Sequence, residues 1–329
     1  MGKSVSAIIL SDLYTSNPHS DINPYLIAIE GSFPTVKKIV AGNNYYQAIV
    51  ELRSIKPKFD VIVTLLRSGL LFEHPNLFTD LDQPVVVIEH DACQNSIESS
   101  IRYGAWMRYF KSNPVSAMCV SGHQPLRDLK GNIPGIVKYI PKGAPERFLN
   151  GGINISGRYC LFGSVQLGMY KERKALFDAI RAHTVYDRVI RKWSMYQASY
   201  FFSRIWRNTP DVSRIDFSYT EMPNVLQYYS AAIICDRGLR EPMMKHFEVA
   251  ALGLVPFRDD ECVEELEEHG YRDGESMVVY ENADDLKEKM RFYANRLSLM
   301  NQIQYKAREV TRQHTWEKRA KELMSFIAT

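Results

Sequence analysis

Cysteine is scarce and forms no pattern. The five cysteines, Cys93, Cys119, Cys160, Cys235 and Cys262, are odd in number, scattered, and contain no C-x-x-C pair. That argues against a disulfide framework or a dithiol redox motif, and most of them sit beside apolar residues. They read as reduced core thiols of an intracellular protein. No His/Cys/Asp cluster has zinc spacing. Long apolar runs are missing too, so a membrane-spanning helix is not expected. Ser4–Leu10 is apolar but too short for a secretory signal, and Ser11 and Asp12 follow at once; the expectation is a cytoplasmic chain. The sequence shows no internal repeat and no low-complexity segment. One-sided charge is also absent. Forty-one Lys and Arg against 38 Asp and Glu leave a net charge of +3, which by itself indicates neither nucleic acid nor a membrane surface.

What is present is an ordinary globular composition. Hydrophobic residues make up 45% and charged residues 24% of 329 positions, enough chain for two cores rather than one. Strand-like and helix-like patterns alternate. Residues 5–10, 59–65, 84–88, 115–120 and 136–140 read as strands, and Tyr45–Ile55 has helical periodicity. Alternation of this kind favours a parallel sheet covered on both faces. Pro141–Gly152 is rich in Gly and Pro and reads as an interdomain linker. A second α/β pattern follows. Its strands are Tyr159–Phe162, Val212–Ser218, Ala231–Cys235, Leu254–Phe257 and Met277–Tyr280. Its helices are Tyr170–Ala182, Val225–Tyr229, Ala283–Tyr293, Leu297–Gln313 and Trp316–Ile327. The expected fold class is therefore α/β with two Rossmann-like domains, 1–150 and 151–329, facing a central cleft where ligands are commonly held. The final helix, about 315–328, is a candidate to pack back on the N-terminal domain.

The stretch 237–257, RGLREPMMKHFEVAALGLVPF, reads as a loop, a helix and a strand. Pro242 suits a first helical turn, Met244, Phe247, Ala251 and Leu252 recur at helical spacing, and Gly253 fits a left-handed cap. A helix start flanked by Arg237, Arg240 and Lys245 offers free N–H groups, the positive end of a helix dipole and mobile cations to a phosphate. Glu248, one turn in, is an acceptor suited to a ribose hydroxyl. The same residues also read as an ordinary amphipathic helix with a solvated charged approach. His90, after a buried strand and before Asp91, is placed for sugar hydroxyl contacts or proton transfer, or is a satisfied loop histidine. Asp80-Leu81-Asp82 is a D-x-D pattern, but it precedes a strand and so lies at the amino end of the sheet. Residues 186–207 interleave Arg and Lys with Trp, Tyr and Phe; nucleic-acid or membrane binding is one reading, and a core with Arg stems over it is the favoured one.

Four passages carry a resemblance to a known family. They are YIPKGAPERFL (139–149), CLFGSVQLGMYKER (160–173), KHFEVAALGLVPF (245–257) and QHTWEKRAKE (313–322). In this order they resemble the group-1, family-4-like glycosyltransferases of the GT-B fold, closest in flavour to the CgeB-like spore maturation branch. The match is strong over the second half of the chain and holds only in outline over the first. Many members of the family carry two glutamates with seven residues between them. Glu241 and Glu248 have six, so Glu241 does not inherit the first glutamate's role, and Lys245 stands where Arg is usual.

The resemblance implies transfer of a sugar from a nucleotide-sugar donor, a UDP- or GDP-sugar acting as substrate, with retention. Because the D-x-D at Asp80 and Asp82 is poorly placed to hold Mg²⁺ or Mn²⁺ at a diphosphate, no metal is expected, and no other cofactor. It places Arg173 and Lys245 at the diphosphate, with Lys171 as the alternative to Arg173. Gly163 and Ser164 allow close backbone approach there, Arg240 adds charge, and Glu248 takes the ribose. His90 faces the sugar. His314 belongs to the C-terminal helix motif and is expected to pack or cap. The acceptor (glycan, protein or modified nucleic acid) and the oligomeric state stay open. So do two other readings, a GT-B nucleotide-sugar epimerase and a non-catalytic protein that binds nucleotide sugar or nucleic acid.

Overall fold

The computed structural model describes residues 5–11, 23–40, 45–55, 58–65, 77–79, 81–90, 109–110, 115–163, 171–180 and 222–329. Contacts divide the chain into two compact units. Ile22–Lys142, with the N-terminal residues 5–11 and the terminal segment Glu317–Thr329, form one, and Gly143–Trp316 the other.

Among its described residues the N-terminal unit is built on a six-stranded parallel sheet. Its strands are β1 (Ser6–Ser11), β2 (Thr35–Val40), β3 (Val61–Leu65), β4 (Val85–Glu89), β5 (Val115–Val120) and β6 (Ile136–Tyr139), in the order β2-β1-β3-β4-β5-β6. Because β1 is flanked by β2 on one side and β3 on the other, the winding reverses beside it, which is where such sheets open a crevice at their carboxyl ends. β1, β3 and β4 are apolar almost throughout and buried along their lengths, as strands covered on both faces must be. Helices α1 (Asn23–Ser32), α2 (Tyr45–Ile55) and α3 (His123–Leu129) accompany them.

The expected strands over 59–65, 84–88, 115–120 and 136–140 are present with ends moved by one or two residues. β2 escapes an apolar-run reading because Lys37 and Lys38 interrupt it. It is an edge strand, and its lysines reach Glu51 at 2.8 Å and Glu30 at 2.7 Å, a common way of blunting an edge.

The C-terminal unit holds a four-stranded parallel sheet among its described residues. β7 (Tyr159–Leu161), β8 (Ala231–Ile234), β9 (Val255–Asp259) and β10 (Val278–Tyr280) run in the order β10-β9-β8-β7. Its helices are α4 (Lys171–Ile180), α5 (Met222–Leu226), α6 (Met244–Ala251), α7 (Val263–Glu268), α8 (Ala283–Ala294) and α9 (Leu297–Thr311). Helix α10 (Trp316–Ile327) follows. One side of the sheet packs Phe177, Ile180, Leu286, Met290 and Ile303, and the other packs Phe247, Leu252 and Tyr271. The strand expected at Val212–Ser218 and the basic aromatic stretch 186–207 lie outside the described residues. Cys119, Cys160 and Cys235 are buried free thiols and Cys262 is half-buried; Cys93 lies outside the described residues.

The Gly/Pro-rich segment after Pro141 is anchored in place. Ala144 N–H donates to the His314 carbonyl and accepts from Trp316 N–H, both at 3.0 Å, and Phe148 is buried in a 3-10 turn, Glu146–Asn150. A Cβ on Gly143 would lie 2.8 Å from the His314 carbonyl oxygen, so the closeness of this crossing requires glycine there.

Candidate functional site

The carboxyl ends of β7, β8 and β9 gather a group of buried charged residues of the C-terminal unit. Arg173, Asp236, Arg258 and Asp259 are each at most 2% exposed. Within this group two cations face two anions, and such pairing lowers the cost of burying charge. Arg173, on the first turn of α4, donates from Nε to the Cys235 carbonyl at 2.7 Å and from Nη2 to Asp236 Oδ1 at 3.4 Å. Arg258 Nη1 stands 3.9 Å from Asp236 Oδ2, its Nη2 donates to Asp259 Oδ1 at 3.3 Å and to the Glu261 carbonyl, and its Nε donates to the Asp259 carbonyl at 2.9 Å. Burial raises the Asp259 carboxyl pKa above its usual range, Arg258 draws it back, and the Asp236 charge adds to the rise.

From this buried base rises the loop 236–243. Asp259 Oδ2 accepts from two successive backbone N–H groups, Asp236 at 2.5 Å and Arg237 at 3.1 Å. Asp236 Oδ2 accepts from Met243 N–H at 3.2 Å. Met243 is the N-cap of α6, and its own side chain makes no capping bond. The helix therefore begins two residues later than a Pro242 start, and the acceptor for its N-cap N–H comes from Asp236, seven positions upstream. Between the two pins Arg240 takes a left-handed backbone, φ 64°. A side chain there carries a cost of order 1–3 kcal/mol, and the conformation persists only where the surroundings fix it.

Arg240 and Lys245 are half-buried, while Glu241 and Glu248 are buried. Arg237 turns back along the surface to Asp260 and to the Glu281 carbonyl. Gly163, just past β7, has φ 142°, and a Cβ on it would stand 3.0 Å from Arg173 Nη1. Glycine thus lets the backbone lie against the buried guanidinium. Lys171, at the start of α4, is exposed, and Ser164 lies outside the described residues.

The structure therefore joins Gly163 and Arg173 to one end of the loop through Asp236, and carries Arg240, Lys245 and Glu248 on the loop and the helix that follows it. His90 belongs to the N-terminal unit, just past β4. Tyr25 meets it edge-on at 5.2 Å between centroids, and its carbonyl accepts from Ser121 Oγ at 3.2 Å. Burial first, then the Lys142 charge, lowers its pKa to about 3, so its ring is neutral near pH 7. Asp82 lies at the amino end of the same strand, and Asp80 lies outside the described residues. His314 packs as expected, its Nε2 2.8 Å from the His269 carbonyl and its ring 5.7 Å from that of Phe247.

The buried carboxylates and Arg258 were not foreseen. The strand was expected to end at Phe257, whereas β9 continues through Arg258 and Asp259. The available signal was the run Arg258-Asp259-Asp260 directly after apolar residues, since charge at the carboxyl end of a parallel strand marks the ligand edge.

Residues 172–325 match the family model described as glycosyl transferase-like. No curated protein matches the chain. Among solved structures, Anabaena Alr3699/HepE in complex with UDP superposes with a TM-score of 0.65 at 10% identity, over 98% of this chain and 99% of that one. The same Anabaena protein in complex with UDP-glucose gives 0.61 at 12% identity, over 97% and 99%. TarM gives 0.55 at 11% identity, over 85% of this chain and 57% of that one; a second TarM structure names S. aureus as its source. The chain thus has the fold of the GT-B glycosyltransferases, and its residues 172–325 match the glycosyl transferase-like family.

Proposed function

We propose that this protein transfers a sugar from a nucleotide-sugar donor, a UDP- or GDP-sugar, to an acceptor hydroxyl, with retention and without a divalent metal. The observation that carries the reading is the loop 236–243, strained at Arg240, pinned by buried carboxylates, and opening helix α6 at the carboxyl edge of a parallel sheet. N–H groups at a helix start, together with Arg240 and Lys245, suit a diphosphate that gains charge as its bond to the sugar breaks. The complexes of the Anabaena structure with UDP and UDP-glucose support a uridine nucleotide.

In this reading Lys245 and Arg240 take the diphosphate, and Gly163 and Ser164 let backbone approach it. Glu248 accepts a ribose hydroxyl. Arg173 acts from below through Cys235 and Asp236. His90, neutral near pH 7, hydrogen-bonds the sugar. The acceptor oxygen attacks the anomeric carbon on the face the phosphate leaves, and its proton passes to the departing phosphate oxygen. No side chain forms a covalent intermediate.

A thermal-shift screen against UDP- and GDP-sugars, with and without EDTA, followed by analysis of released nucleotide, tests this. Stabilisation by one donor class and nucleotide release in EDTA are expected. Stabilisation without release points to a non-catalytic binder, and conversion to an epimeric nucleotide sugar points to an epimerase. Activity lost in EDTA and restored by Mg²⁺ or Mn²⁺ overturns metal independence.

A further inference from the structure

Asp236 and Asp259 hold the loop at both ends through its backbone N–H groups. Asp259 Oδ2 takes the N–H groups of Asp236 and Arg237, while its Oδ1 takes Glu261 N–H at 3.1 Å and Arg258 Nη2. Asp236 Oδ2 takes the N–H of Met243, while its Oδ1 faces Arg173. Both carboxylates are about 1% exposed. The arrangement is costly as mere cohesion, since buried ion pairs are often no more stabilising than apolar packing. It does fix one thing: where the loop leaves β8 and where α6 begins.

We propose that Asp236 and Asp259 are positioning residues, a buried two-carboxylate latch that sets the loop 236–243 and thereby the reach of Arg240, Lys245 and the α6 N–H groups to a nucleoside diphosphate. The proposal rests on the nucleotide-sugar reading above. Arg258 lies between the two carboxylates, its Nη1 toward Asp236 and its Nη2 toward Asp259, and Arg173 faces Asp236. Each carboxylate uses both oxygens as acceptors. An amide has a single acceptor oxygen, so Asp→Asn at either position gives up one set of contacts while keeping shape.

The experiment measures amide hydrogen exchange across the chain, and affinity for UDP and GDP by calorimetry, for the wild type, Asp259→Asn and Asp236→Asn. The latch predicts that exchange rises at least tenfold at Arg237 and neighbouring loop amides in Asp259→Asn, and at Met243 in Asp236→Asn. Strands β7–β10 are expected to stay as protected as in the wild type, and nucleotide affinity to fall about tenfold or more in both variants. Faster exchange throughout the C-terminal unit, with affinity of the folded protein unchanged, makes the carboxylates merely structural and overturns the proposal. So does unchanged exchange at the loop. If a variant does not fold, the other decides, and failure of both to fold also overturns a local latch. A wild type that binds neither nucleotide overturns the nucleotide-sugar reading, while the exchange data still decide whether the latch holds the loop.

Discussion

Gly163 shows how much one missing Cβ can matter. Its φ of 142° is outside the range side chains favour, and a methyl there would press within 3.0–3.1 Å of the Arg173 guanidinium and Cδ. Arg173 has nowhere to go without releasing the Cys235 carbonyl and Asp236. Gly163→Ala is therefore expected to lower stability by about 1–3 kcal/mol, read as a lower denaturation midpoint; an unchanged midpoint would mean that the buried guanidinium yields freely. Lys245 is argued from chemistry rather than packing. If it stabilises the leaving diphosphate, Lys245→Ala lowers kcat more than it raises KM, and Lys245→Arg retains much of the activity. A variant that changes only KM leaves Lys245 as a substrate-binding group. At this scale the sequence was informative about residue types. Gly163 was legible as a break and Glu248 as a candidate acceptor. The engagement of Arg173 with Asp236 was not, because it joins residues 63 positions apart whose meeting depends on the whole sheet.

Helix α6 is held mainly by what it packs against. Eight residues are too few to be stable alone, and seven of them are buried. Phe247, fully buried, meets the rings of His246 and His314 at 5.7 Å and of Tyr271 at 6.0 Å. Phe247→Ala is expected to cost about 3–5 kcal/mol, measured by chemical denaturation; a loss below 1 kcal/mol would show that this contact does not anchor the helix. The element was legible because Met244, Phe247 and Ala251 follow helical spacing. Its start was read too early, because Pro242 suits a first turn in isolation and the true cap comes from Asp236. The same limit hid β2, whose lysines mark an edge, and α7, whose acidic run VEELEE buries only Glu265 and Leu266. Strands buried on both faces were legible for the opposite reason: near-continuous Val and Ile admit few alternatives.

Two of the buried histidines, His90 in one unit and His246 in the other, tie stability to pH. Burial, then Lys142, lowers the pKa of His90 to about 3. Burial, then Arg258, His314 and His269, lowers that of His246 well below its ordinary value. Both are neutral in the folded state and take up a proton on unfolding once the pH falls below about 6.5. The unfolded chain then binds more protons, so stability falls as pH falls, by about 1.4 kcal/mol per pH unit for each histidine. For His90 that loss runs from about pH 6.5 down to about 3. His246→Leu is expected to make the midpoint less sensitive to pH between 7 and 5; equal sensitivity in variant and wild type would remove His246 from the account.

The architecture of two α/β units was legible in the alternation of patterns, and the carboxyl edge of the second sheet as a candidate site followed from it. The account as a whole stands on that edge holding a nucleotide sugar through Glu248. Calorimetric titration of the wild type and of Glu248→Ala with UDP-glucose tests this most directly. The account predicts saturable binding by the wild type and a loss of roughly 1.5–3 kcal/mol in the variant, as for a charge-assisted hydrogen bond. Equal affinity in a folded Glu248→Ala protein would contradict it.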